Sequence, residues 1–366
     1  MRTLHKLIEE HIAELVSEGK ISGDATEAIE AAAERAFHDA LPEVAALLLD
    51  DLKQKAPEML RERHSFAVGF RRRHHRRWRL GFDLLEMLCA ICEEAGSDFN
   101  TEERPKAVET DDVVFEALVT LHARALLVAN EILWLLRGGF ADGALARWRT
   151  LHEIAVIAHF LAQSERETSE RYLLSFHIQA HRAICQYQEY ADRAGLEPFP
   201  QEEVEQARQM RDEVVARYGP SIKHEYGWAS RALEKANPSL HDIERSVSLD
   251  HWRPRYKWAS QYTHANYKPS ATLLGMSEAN EPLLLVGPSN SGLTDPAHMM
   301  AISLVQVTLI LILREATFDG LVVSTILMQL SDEIGETFVQ TEWSSLERHR
   351  RRNRRRESAS GTSDKS

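Results

Sequence analysis

Residues 113–163 read VVFEALVTLHARALLVANEILWLLRGGFADGALARWRTLHEIAVIAHFLAQ. Apolar residues recur every three or four positions from Val113 to Leu136 and again from about Asp142 to Gln163, as in helices that bury one face. Between these two runs lies only the break at Gly138-Gly139, and a connection this short makes the two helices antiparallel neighbours. This stretch therefore predicts a helical bundle.

The rest of the chain repeats the helical pattern, with one exception. Helical spacing occurs in residues 4–16, 24–52, 61–96, 165–191, 202–217 and 296–313. In residues 270–292, two short apolar runs, ATLLG and PLLLVG, flank the turn-forming SEANE, which favours a hairpin. We therefore expect a mostly α multi-helix bundle with a small two-stranded β-hairpin near residues 270–292.

Breaks in the pattern predict four parts along the chain. They are a helical N-terminal segment (1–60), an Arg-rich connecting helix (61–96), a main helical domain (110–347) and a basic, then disordered, tail (348–366). The polar stretch SDFNTEERPKAVETDD, residues 97–112, is typical of an exposed linker.

Composition favours a soluble protein of a reducing compartment. The 366 residues include three cysteines, and an odd, low number fits the cytoplasm. Cys89 and Cys92 have the spacing of a zinc or redox pair, but they lie in an apolar helical stretch without a second pair, so core positions are favoured.

The most apolar run, residues 299–313, has 15 residues, fewer than the roughly 20 that a membrane span needs. The charged start of the chain does not resemble a secretory signal.

Charge is strongly segregated in this acidic protein. The net charge is −12, yet residues 61–79 and residues 348–356 each carry +7, which leaves −26 for the other 338 residues. Arginines can grip phosphates, and an aromatic such as Trp78 can stack on bases. The candidates for contacting nucleic acid are Arg71, Arg72, Arg73, Arg76 and Arg77. An acidic protein surface, in the same or a neighbouring subunit, is the alternative partner.

A second group of polar residues lies on otherwise apolar helices. Arg149 and Glu153 are one turn apart, and burial would require them to pair or to meet a ligand. In WRPRYKWASQYTHANYKPS, residues 252–270, helical spacing would align Tyr256, Ser260 and His264 on one face. Histidines one or two turns apart on neighbouring helices do not form a known metal motif, so we predict neither a metal nor a cofactor.

Several blocks resemble a bacterial, mostly helical family that is still labelled a domain of unknown function. They are HHRRWRLGFDLLE, GALARWRTLHE, YGWA, YKWASQYTHAN and LLVGPSNSGL, within about Arg61 to Leu313. The resemblance implies that the recurring polar positions form one interior site. Those positions are Arg149, Glu153, His177, Tyr256, Ser260 and His264.

Two functions follow as hypotheses. The first is a cytoplasmic binding or regulatory module that contacts nucleic acid through its arginines, without a membrane and with homo-oligomers possible. The second is an enzyme, a metal-independent helical ribonuclease similar to the HEPN superfamily. It would act through Arg147 or Arg149 with Glu153 and His264, although chance alone accounts for the Arg-x4–6-His spacings in this chain.

Overall fold

The computed structural model describes residue 18 and residues 23–265, 267–279, 281 and 283–360. It does not describe the side chains of residues 23–40, 43, 349, 350 and 352–360. The chain divides into two compact units, Met1–Phe70 (unit 1) and Arg71–Ser366 (unit 2). The helix predicted at residues 4–16 and the tail residues 361–366 lie outside the described part.

The described residues are mostly helical, as predicted. The α-helices are α1 (Gly23–Glu109), α2 (Val113–Gly138), α3 (Ala141–Gln163), α4 (Arg166–Ala194), α5 (Gln201–Tyr218), α6 (Leu240–Ser246), α7 (Arg253–Ser260), α8 (Thr294–Ile312) and α9 (Phe318–Ser360). Short 3-10 turns connect α5 to α6, α6 to α7, and α7 to α8.

Helices α2, α3 and α8 form the centre of unit 2. Each of the three packs against the other two, and α9 packs on α8. The core contains the fully buried Trp78 of α1, Trp148 of α3 and Phe338 of α9. A smaller apolar cluster around Tyr218 joins α4 to α5. The bundle predicted from residues 113–163 is therefore confirmed.

Helix α1 continues through the stretch expected to be a linker. It ends at Glu109, and Ala107 within that stretch is buried. The predicted linker is wrong, because the helix does not end at Gly96. A Cβ at Gly96 would lie 2.2 Å from the His122 ring, so this glycine instead lets α1 and α2 approach closely. At the other end of unit 2, α9 continues to Ser360, past the start of the expected disordered tail.

The β-hairpin expected at residues 270–292 is not seen, and the described residues contain no strand. Two 3-10 turns, Ser270–Thr272 and Leu274–Met276, occupy its first half. The Asp142 carboxylate accepts hydrogen bonds from the backbone N–H groups of Leu274 and Gly275, at 2.8 and 3.1 Å. A side chain of α3, and not a second strand, therefore accepts the hydrogen bonds of these N–H groups. The short apolar runs in the sequence do not show that a distant carboxylate takes this place.

Two described helices are long and apolar enough to cross a membrane by length and composition. They are Val113–Gly138 and Thr294–Ile312, and 44% and 67% of their most apolar windows are buried in the protein. The helix that contains residues 299–312 of the apolar run therefore has 19 residues. Core helices of soluble proteins meet the same criterion, and both helices belong to the core described above.

Candidate functional site

Four of the six residues expected at the interior site meet between α3 and α7. The Arg149 guanidinium lies 3.1 Å from a Glu153 carboxylate oxygen, and its Nε donates to Ser260 Oγ at 3.2 Å. The Tyr256 hydroxyl donates to the same Glu153 oxygen. We name Arg149, Glu153, Tyr256 and Ser260 the α3–α7 cluster.

Helical spacing on both sides brings this cluster together. Each helix contributes two residues one turn apart, so two adjacent side chains of α3 face two of α7. The Arg149 Cζ lies 4.7 Å from the centroid of the Tyr256 ring, and that of Arg253 lies 5.1 Å from it. Tyr256 is buried, whereas the side chains of Arg149 and Glu153 retain 33% and 22% of their exposure. The cluster thus lies at the edge of the core.

A second polar group, missed by the sequence reasoning, lies behind the cluster. The fully buried Glu244 of α6 accepts from Arg253 Nη1 at 3.0 Å and lies 3.3 Å from His152 Nε2. The His152 ring is 5.7 Å from that of Tyr256. Nothing in the local pattern of α6 distinguishes Glu244 from a surface glutamate, because its burial depends on α3.

The pKa values of these groups reflect burial and mutual contact. Burial alone would raise the pKa of Glu244, but the hydrogen bond from His152 and the Arg253 charge lower it below its ordinary value. Burial raises the pKa of Tyr256, and its hydrogen bond to the Glu153 carboxylate raises it further. Burial and the Glu153 charge likewise raise the pKa of Tyr226. Both phenols therefore stay protonated at neutral pH.

His264 and His177 have no described contact with the cluster. Helix α7 ends at Ser260, and the chain turns before the exposed His264, so the helical spacing from Tyr256 does not extend that far. The resemblance implies that His177 also belongs to the interior site. Its helix, α4, packs mainly against α2 and α5 instead, and its described ring contact is with Phe176.

The contacts of the cluster hold α3 and α7 together and leave none of its side chains arranged as a nucleophile with a base. Glu153 already accepts from Arg149 and Tyr256, and the Ser260 hydroxyl donates to the Tyr256 carbonyl oxygen at 2.8 Å. A nucleophile would need a neighbouring base that is free to accept its proton. Arg147, the other arginine of the ribonuclease hypothesis, pairs with Glu131 of α2. The three side chains required for cleavage are therefore not brought together.

The arginine run of α1 has one buried and one exposed face. His74 Nδ1 lies 2.9 Å from Asn290 Oδ1, and the Trp78 indole donates to the Asn290 carbonyl oxygen at 3.2 Å. Both side chains are buried in the core. The expectation that Trp78 stacks on bases is therefore wrong. The cause is helical phase, since both side chains share one face with the core residues Phe82 and Leu85.

The five arginine candidates also divide into one that is buried and paired and four that are exposed. Arg77 pairs through both guanidinium ends with Glu278, and its side chain is only 10% exposed, so it is not available to a partner. The other four candidates are exposed and form no ion pair or hydrogen bond with any described residue, and the same holds for one further arginine. We name these five residues the arginine face: Arg71, Arg72, Arg73, Arg76 and Arg79.

The second basic run lies at the same end of unit 2. Trp78 stacks on Phe338 with ring centroids 5.4 Å apart, and Lys106 Nζ lies 2.8 Å from a carboxylate oxygen of Glu315. Helices α1 and α9 are therefore antiparallel. Four of the five residues of the arginine face precede Trp78 along α1, and Arg348 and Arg351 follow Phe338 along the antiparallel α9. These arginines therefore lie on the same side of the Trp78–Phe338 stack, and Arg348 and Arg351 are exposed.

Comparisons with known proteins cover part of this structure. No curated protein and no solved structure matches the chain. The α3–α7 cluster and Glu244 lie within the segment that matches a family, whereas the arginine face and the block LLVGPSNSGL lie outside it. The extent of the match, residues 115–281, is thus narrower than the expected Arg61 to Leu313. Within it, the resemblance to a family of unknown function is confirmed, for the matching model is that of the Family of unknown function (DUF5677).

Proposed function

We propose that the protein binds nucleic acid through the arginine face. The observation that carries this proposal is the absence of any carboxylate partner for five exposed arginines in the described part of a chain with net charge −12. Elsewhere in unit 2 arginines commonly pair, as Arg137 does with Glu86 and Arg166 with Asp111. Arg72, Arg76 and Arg79 recur at spacings of four and three and so lie on one helix face. Guanidinium groups placed in this way suit a row of phosphates, which they bind without reading sequence.

The position of α9 supports the same partner. At 1.5 Å per residue, Arg72 lies about 9 Å from the level of the Trp78–Phe338 stack, and Arg348 lies about 15 Å from it in the same direction. Two segments separated by more than 260 positions in the sequence thus contribute positive charge to one end of unit 2. A phosphate backbone can contact both helices at once.

The test replaces three arginines of the face. The variant Arg72→Gln/Arg76→Gln/Arg79→Gln is compared with the wild type for binding to a labelled single-stranded RNA between about 50 and 200 mM salt. We expect weaker binding and a salt slope that is smaller by roughly 2, since each lost phosphate contact removes about 0.7 from the slope on single strands. Unfolding by urea should not change, because these side chains have no ion-pair or hydrogen-bond partner among the described residues.

The control removes the same charge elsewhere. The variant Arg124→Gln/Arg193→Gln/Arg245→Gln changes three exposed arginines that form no ion pair with a described residue. We expect its RNA affinity and salt slope to remain near those of the wild type. Equal losses in both variants would show that net charge alone attracts the RNA, and the arginine face would then not be the site.

A further inference from the structure

The part of helix α1 that belongs to unit 1 has an exposed apolar stripe. Its residues recur at spacings of three, four or seven positions, and their exposed fractions are 39 to 75%. They are Leu41, Val44, Leu48, Leu52, Met59 and Phe66. No other described side chain of unit 1 covers them, since the described side chains of this unit are Glu18 and those of α1 itself.

The stripe has the geometry of a coiled-coil seam. Residues 41–66 form about seven turns and span about 39 Å, and the 3-4 spacing keeps the apolar side chains on one face. Pro57 lies within this range but on the opposite face of the helix. A second helix with the same stripe would cover these side chains along their whole length.

We propose that two copies of the chain associate through this stripe, with their α1 helices antiparallel about a two-fold axis between Lys53 and Gln54. Four of the six stripe residues are symmetric about this point, and the other two, Val44 and Leu52, face the aliphatic stems of Arg63 and Lys55. Leu41 of one copy then meets Phe66 of the other, and Leu48 meets Met59. The interface is isologous, because the same surface serves both copies. This association does not depend on the proposed binding of nucleic acid.

Charge complementarity selects the antiparallel direction. Next to the axis, the antiparallel arrangement places Asp51 of each copy beside Lys55 of the other copy. Both side chains are exposed, and within one helix they already lie 2.8 Å apart. A parallel pair would set Lys55 against its own copy within the seam.

The first experiment measures the mass of the full chain in solution by light scattering. We expect twice 41.7 kDa for the wild type and 41.7 kDa for Leu48→Glu/Leu52→Glu. The control Gln54→Glu adds negative charge on the opposite face and should remain a dimer. Both substituted leucines are exposed, so circular dichroism should show unchanged helix content. A monomeric wild type, or a dimeric Leu48→Glu/Leu52→Glu variant, would overturn the proposal and indicate that another part of the chain covers the stripe.

The second experiment tests the direction by disulfide formation in a Cys185→Ser background, because Cys185 is the exposed native thiol. Coexpressed Leu48→Cys and Met59→Cys chains should form a mixed disulfide-linked dimer. Leu48→Cys alone should not, since its two copies would lie about 16 Å apart along the axis. A dimer that is linked by Leu48→Cys alone, and not by the mixed pair, would show a parallel arrangement and overturn the proposal.

Discussion

His122 and His152 are both buried, but their partners differ. His152 lies against the carboxylate of Glu244, whereas the side-chain partner of His122 is the neutral Thr308, with His122 Nε2 3.1 Å from its hydroxyl oxygen. The Thr308 hydroxyl donates to the Leu304 carbonyl, so the His122 ring donates to Thr308. With no charged partner, burial lowers the pKa of His122 to about 4.

This lowered pKa predicts a pH-dependent stability. Between about pH 6.5 and 4 the unfolded chain binds a proton at residue 122 and the folded chain does not, so the free energy of unfolding falls as the pH falls. The lost stability is of the order of 3 kcal/mol for a shift of this size. Urea unfolding of His122→Gln at pH 7 and 4.5 should show a smaller pH dependence than the wild type.

The exposed His224 provides the matched control. Urea unfolding of His224→Gln should keep the pH dependence of the wild type, because this side chain lies in solvent and its loss leaves the core unchanged. A His122→Gln variant with the full wild-type dependence would mean that other groups cause it.

Among the elements, α1 and α3 show that a glycine inside a helix can have opposite roles. Gly96 of α1 faces the His122 ring without room for a Cβ, whereas the nearest atom to a Cβ at Gly143 of α3 is 3.6 Å away. The sequence around each glycine does not reveal the difference. It depends on which helix packs against that face.

These two glycines therefore predict opposite effects of alanine. Gly96→Ala should lower the free energy of unfolding by about 1–3 kcal/mol through overpacking against His122. Gly143→Ala should leave it unchanged or raise it by up to about 1 kcal/mol, since alanine favours the helix. Urea unfolding measures both. A neutral Gly96→Ala variant would show that α1 and α2 can separate at no cost.

In the whole molecule, antiparallel packing of α1 and α9 brings two basic runs to one end of unit 2. If they form one surface, Arg348→Gln/Arg351→Gln should weaken RNA binding and reduce the salt slope by about 1–1.5. Combined with the three changes in the arginine face, the slope should decrease further. Binding unaffected by Arg348→Gln/Arg351→Gln would restrict the site to α1. The cytoplasmic location expected from the cysteine content stays a prediction.

The helices and several local contacts could be predicted from residue order alone. Apolar periodicity identified the bundle, and one-turn spacing placed Arg149 with Glu153 and Tyr256 with Ser260. These features depend on residues within a few positions of one another, where helix geometry fixes the relation. The sequence also showed two arginine runs in an acidic chain.

Long-range packing determines which polar groups are buried and which described arginines lack an ion-pair partner. Glu244 became the partner of His152 across 92 positions, Arg77 paired with Glu278 across 201, and Asp142 satisfied backbone donors where a hairpin was expected. His264 was separated from the cluster because α7 ends at Ser260. Such contacts join residues far apart in the chain, and burial by a distant helix leaves no periodic signal in the local sequence.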